Sequence, residues 1–111
     1  MAIPNATKQA ASDAAAARGA WLTLFTGAGA GTTGANEGAG VTRKQTVWTP
    51  DGTGKNVGST QSIPAPAGTY TEGGIMSAAN GGSFVGSGPF AGGSIIVNGT
   101  GVSIDLSVTW S

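Results

Sequence analysis

Residues 102–110 read Val102-Ser103-Ile104-Asp105-Leu106-Ser107-Val108-Thr109-Trp110, five large apolar side chains separated by four small polar ones. A β-strand sends successive side chains to opposite faces, so this alternation describes a strand with one apolar and one wet face. A helix has a different period and cannot sort these residues. The stretch therefore sets the expected fold class: mainly β, an antiparallel β-sandwich of about seven strands with a short N-terminal α-helix.

Upstream of it, Asn98-Gly99-Thr100-Gly101 reads as a turn that follows a β-branched strand over residues 93–97. Asn80-Gly81-Gly82 marks a hairpin between a strand over 69–77 and a short return strand over 83–86, with Gly73-Gly74 as a bulge. Pro64-Ala65-Pro66-Ala67-Gly68 reads as a connection, because proline donates nothing to a ladder. Residues 55–63 and 41–49 read as two further strands joined by the turn Pro50-Asp51-Gly52-Thr53-Gly54. A long loop rich in Gly, Ala and Thr occupies 27–40, and Trp21-Leu22-Thr23-Leu24-Phe25-Thr26 is apolar on both faces, as a central covered strand would be.

Residues 6–18 are expected to form a helix, since six of the residues from 10 to 17 are alanine, the strongest helix former. Asn5 or Thr7 would cap its start and Gly19 would take the left-handed position past its end. A helix this short is marginal alone in water, so it must lie on something. A lid on one sheet, with one face of the central strand a candidate seat, is favoured over an arm that docks on a neighbouring subunit. The expected organisation is one domain overall: an N-terminal arm and helix over 1–19 and the β-sandwich over 20–111.

The 111 residues include five basic and five acidic side chains, no His and no Cys, and only 9% of the chain is charged. Soluble domains average about 25%. No basic field is available for nucleic acid and no polybasic patch for a membrane, so neither is expected as a partner. No apolar run reaches membrane-spanning length and no cleaved secretory signal is recognised, so the expectation is a soluble protein. A nearly neutral surface favours association with other copies or companions.

Several motifs are weaker than they look. Gly29-Ala30-Gly31-Thr32-Thr33-Gly34 matches a dinucleotide fingerprint in letters only, because no helix opens at its glycines. Gly52-Thr53-Gly54-Lys55-Asn56 resembles a phosphate loop but has Asn56 where Ser or Thr is required and Thr49 where the first Gly should stand. Asn5-Ala6-Thr7 and Asn98-Gly99-Thr100 fit the glycosylation sequon without an export signal. The acids Asp13, Glu37, Asp51, Glu72 and Asp105 show no pairing pattern, and no His or Cys supplies a base or nucleophile. We therefore expect no enzyme activity, no catalytic, cofactor-binding or metal-ligating residues, and no cofactor. Trp21, Trp48, Trp110 and Tyr70 are expected in the core rather than on a sugar-stacking platform. Arg43 and Lys44 are expected on an ordinary solvated edge; pairing with Glu37 or Glu72, even across a subunit boundary, is the alternative.

One resemblance is present. Trp21-Leu22-Thr23-Leu24-Phe25-Thr26, the loop Gly31-Thr32-Thr33-Gly34-Ala35-Asn36-Glu37 and Val41-Thr42-Arg43 resemble the first signature of a family of small tailed-phage virion proteins. That signature is a strand, a Gly-rich loop with a Glu, and a strand with an aromatic residue and an Arg; Val41 departs from the usual aromatic. Pro66-Ala67-Gly68-Thr69-Tyr70-Thr71 and Gly74-Ile75-Met76-Ser77-Ala78-Ala79-Asn80-Gly81-Gly82-Ser83-Phe84 are similar to the family's second signature, a strand ending in Ala-Ala-x-Gly-Gly before a short aromatic strand. The resemblance covers most of residues 20–86 and implies a β-sandwich virion subunit that oligomerises and carries no catalytic residues. It implies partners among copies of the chain and other virion proteins, the major capsid protein or tail proteins, and assembly in the bacterial host cytoplasm. A capsid decoration or minor capsid protein is the favoured role, a tail or tail-fibre subunit the next. A carbohydrate-binding module for host-surface recognition is the alternative of a different class.

Overall fold

The computed structural model describes residues 2–110. It is mainly β, with one helix and ten short strands, all paired antiparallel. The helix α1 spans Asn5–Ala16; the strands are β1 (Trp21–Thr26), β2 (Lys44–Gln45), β3 (Trp48–Pro50), β4 (Asn56–Gly58), β5 (Gln61–Pro64), β6 (Gly68–Met76), β7 (Phe84–Pro89), β8 (Ile95–Val97), β9 (Ser103–Leu106) and β10 (Thr109–Trp110). A five-stranded sheet in the order β2-β1-β6-β7, with β8 also on β6, forms one layer.

The second layer is a twisted ribbon. Residues 56–57 pair with 109–110, and residues 61–64 pair with 103–106 in a register offset by one residue. The extra residue lies on the β4–β5 strand. There Ile63 faces the core, but so do Asn56 and Gly58, which have the opposite parity. Ser59, beside this irregularity, is tied down by buried Thr46, whose Oγ1 donates to the Ser59 carbonyl at 2.7 Å. Thr46 also marks the place where the chain leaves β1 and joins β4. So the strands expected over 41–49, 55–63 and 102–110 are each divided in two, and the count rises from about seven to ten. In the last of them the alternation holds, with Ile104 and Leu106 buried and Val108 and Trp110 half-buried, while Val102 is exposed.

The main core lies between the layers. Leu22, Leu24, Tyr70, Ile75 and Val97 from the five-stranded sheet meet Ile63, Ile104 and Leu106 from the ribbon. A second, smaller cluster lies on the far face of β1, where Phe25, Ala30 and Met76 pack with Trp21 and Phe84. Thus β1 is central and covered on both faces, but its cover is the loop 27–40 and not the helix. The helix instead lies on β4 and β10. Its ends also differ from expectation. Pro4 occupies the N-cap without a side-chain cap bond, and Ala17 forms the C-cap in a right-handed conformation. Gly19 is needed for proximity: a Cβ there would stand 2.6 Å from the Met76 carbonyl oxygen.

The hairpin at Asn80-Gly81-Gly82 forms as expected, with both glycines at positive φ (62° and 73°). The Gly73-Gly74 bulge does not. The irregularities fall one on each side, between Phe25 and Thr26 in the β1–β6 register and between Ile75 and Met76 in the β6–β7 register. Gly73 instead admits Leu106 of the opposite layer, whose Cδ1 would be 2.6 Å from a Cβ at that position. Pro64, expected in a connection, ends β5 opposite Ser103.

Candidate interaction surface

The chemistry-bearing residues are arranged to hold the fold. Among the described residues no three His, Cys, Asp or Glu side chains come together as a metal could use them. Glu37, within the loop 27–40, and Glu72, on β6, together anchor that loop. Glu72 Oε1 accepts from the Ala30 amide at 2.9 Å and from Ser87 Oγ at 2.9 Å. Glu37 accepts from Thr23 Oγ1 at 2.5 Å and from Arg43 through both carboxylate oxygens, at 2.8 Å from Nε and 2.7 Å from Nη2. Arg43 Nη1 then donates to the carbonyls of Ala78 and Gly81, each at 2.8 Å.

Arg43 is therefore not on a solvated edge. Its side chain is only 9% exposed, and its partner is in the same chain. The planar fork explains why an arginine stands here: two donors match the carboxylate and the remaining nitrogen reaches two carbonyls. This bidentate pairing holds the Glu37 carboxyl below its ordinary range, against an opposing push from partial burial. Asn36 completes the loop at φ 64°, with its Nδ2 donating to the Gly29 carbonyl at 3.0 Å. No helix follows Gly29-Ala30-Gly31-Thr32-Thr33-Gly34, so the loop offers no phosphate a helix N-terminus.

The remaining acids are also engaged. Asp13 accepts from Asn56 Nδ2 at 2.8 Å, Asp105 from Ser62 Oγ at 2.5 Å, and Asp51 from the Thr53 amide at 2.8 Å. Asp51 closes the turn 51–55; the turn expected over 50–54 is thus present but begins one residue later, with Pro50 ending β3 opposite Asn56. The aromatic residues pack inward as expected: Tyr70 is buried with its hydroxyl on the Pro66 carbonyl at 2.6 Å, Trp48 Nε1 donates to the Gly19 carbonyl at 3.2 Å, and the Trp48 and Trp110 rings lie 6.4 Å apart. Among the described residues no aromatic ring is found with the large apolar side chains that are exposed.

What the structure leaves bare is the outer face of the sheet β3-β4-β10. Its inner face carries Trp48, Asn56, Gly58 and Trp110, covered by the core and by α1. Strand alternation sends Val47, Thr49, Val57, Ser59 and Thr109 the other way, and all five are exposed. Val47 is 67% and Val57 38% exposed, two of the five large apolar side chains left open among the described residues. The register aligns Thr49, Val57 and Thr109 in one row across the three strands. The face between Val47 and Thr49 carries no charge; Asp51 and Lys55 stand at the end by the turn. Alternation in the sequence pointed outward only for Thr109; the outward faces of β3 and β4 and their assembly into a single face were not legible, because they depend on pairings between distant segments.

No known protein family, no curated protein and no solved structure matches this chain.

Proposed function

We propose that this chain is a structural component of a bacteriophage virion, a capsid decoration or minor capsid protein that binds the shell through non-covalent contacts with it and between copies. The observation that carries the reading is Arg43. The residues of the two signatures that resemble virion proteins, the loop with Glu37 and the Ala78-Ala79-Asn80-Gly81-Gly82 turn, are far apart in sequence but are joined in space by this one side chain. They form one physical unit, a Gly-rich loop clamped onto a hairpin, as a signature under structural selection would.

The low charge and the bare face of β-branched and hydroxyl side chains support a protein that works by contact. Each contact of this size is weak, and repetition over a symmetric particle multiplies it. The test is quantitative mass spectrometry of particles purified from a host that produces the chain. Decoration of a shell predicts on the order of hundreds of copies per particle. A handful would move the chain to the tail, and absence from the particles would end the virion reading.

A further inference from the structure

We propose that the bare face of β3-β4-β10 is the contact between two copies of the chain, related by a two-fold axis that runs along the strands between β3 and β4. The inference deepens the association between copies in the reading above and names its surface. It rests on the pattern of charge and shape across the β3–β4 pair.

The pairing of Thr49 with Val57 continues on either side. Val47 stands level with Ser59, whose amide donates to the Val47 carbonyl at 3.0 Å. Asp51 stands level with Lys55, with the Asp51 amide donating to the Lys55 carbonyl at 3.1 Å. The face therefore has two columns. One reads Val47, Thr49, Asp51; the other reads Ser59, Val57, Lys55. Both charged residues are exposed.

A rotation of 180° about the stated axis lays each column over the other column of the second copy, at the same height. Thr49 then meets Val57 of the second copy, and Val47 meets Ser59. Asp51 meets Lys55, and Lys55 meets Asp51, so four charges alternate in sign at one end of the contact. A two-fold axis across the strands would carry the charged end of each copy to the uncharged end of the other and leave all four charges without opposite partners in the other copy. The face is thus self-complementary for one symmetry operation, as an isologous interface must be. In the turn at 51–55 the Asp51 carboxylate takes its hydrogen bonds from Thr53 and the Lys55 amide and feels the Lys55 charge through space, so the ammonium, though attracted, is not tied to it by a direct contact.

Only the two short strands β3 and β4 are opposed, with β10 lying outside the overlap, so the contact is smaller than the ~800 Å² per partner of a standard interface. Association of the free chain should therefore be weak and strengthened by low salt, and reach full occupancy where many copies sit side by side.

The experiment is sedimentation velocity of the purified full chain over a wide concentration range at low and moderate salt. A reversible monomer–dimer equilibrium weakened by salt is expected. Lys55→Glu places four acids together and should raise the dissociation constant at least tenfold. Thr49→Glu and Val57→Lys should each weaken self-association similarly, and an equimolar mixture of those two should form a mixed dimer tighter than either variant alone. Far-ultraviolet circular dichroism and thermal midpoints establish that each variant is folded. Dimerisation unaffected by all three substitutions would overturn the proposal, as would a chain that stays monomeric at millimolar concentration. So would the two variants failing to associate with each other. The virion reading is tested separately by particle composition, so either can fail while the other stands.

Discussion

Arg43 makes four hydrogen bonds, two to the Glu37 carboxylate and two to backbone carbonyls of the hairpin between β6 and β7. Truncating it would leave Glu37, 27% exposed, without its cation, and two carbonyls without their donor. Leaving a partly buried charge unpaired costs more than the pair itself contributes. Arg43→Met should therefore destabilise the fold by about 2–4 kcal/mol in urea unfolding. Arg43→Lys should fall between, since it keeps the charge and loses the fork. The pH dependence has a definite sign. The Glu37 carboxyl is held below its ordinary value of 4.5, chiefly by the Arg43 hydrogen bonds. Its contribution is present above that value and is lost as the pH falls through the lower, folded pKa. Asp13 and Asp51 are lowered too, through Asn56 and through Thr53, and act with the same sign in both proteins. The difference between Arg43→Met and the unaltered chain should therefore shrink as the pH falls below 4.5. A difference that is constant with pH would mean that Arg43 stabilises without its charge.

At the scale of elements, α1 is the least secured piece. Its one buried side chain is Ser12, and its seat is polar. Asn56 Nδ2 donates to Ser12 Oγ at 3.1 Å and to Asp13 at 2.8 Å, and Ser12 Oγ meets the Gly54 carbonyl at 3.0 Å. Twelve residues cannot sustain a helix alone. Removing Asn56 should therefore release the helix before it disturbs the sheets. Asn56→Ala is expected to speed hydrogen exchange of the α1 amides about tenfold while β1 and β6 amides keep most of their protection. Equal acceleration everywhere would show that the helix and the sheets open together. The elements also show what a sequence can declare. β1, the turn at 51–55 and the Asn80-Gly81-Gly82 hairpin were legible because their signals are local: an apolar run, a proline and an aspartate, paired glycines. The faces of residues 102–110 were legible from their period. Their division was not, since alternation states which way a side chain points and not which strand it pairs with. The partner of Arg43 stayed open for the same reason: the hairpin carbonyls it reaches are backbone groups that leave no mark in the sequence. The covering of β1 by a loop was hidden because a Gly-rich loop looks solvent-exposed until its carboxylate anchors at Glu37 and Glu72 are seen.

For the whole molecule, the joint between the layers decides cooperativity. The chain has a radius of gyration of 14.2 Å, against about 13 Å for a compact chain of this length. It is therefore slightly drawn out, and the layers are joined through the main core between them. Leu106 of the ribbon enters the space that Gly73 of β6 leaves open, in the middle of the main core. Leu106→Ala should open a cavity and cost about 3 kcal/mol, lowering the thermal midpoint by roughly 10 °C. Gly73→Ala forces a methyl against Leu106 and should cost a comparable amount through overpacking. In the double variant the new methyl occupies part of the space the leucine vacates, so the two costs should sum to less than their separate values by about 1 kcal/mol or more. Such a coupling, measured as a double-mutant cycle with tryptophan fluorescence and far-ultraviolet circular dichroism in parallel, locates the seam at this pair. In a Trp21→Phe background Trp48 and Trp110 alone report the ribbon layer, whereas the far-ultraviolet signal averages over every sheet and the helix. Coincident midpoints in all four proteins would mean that the layers unfold as one. Strict additivity of the two substitutions would place the coupling elsewhere in the core, with the burial of Leu22, Leu24 and Ile63 then carrying the contact between layers.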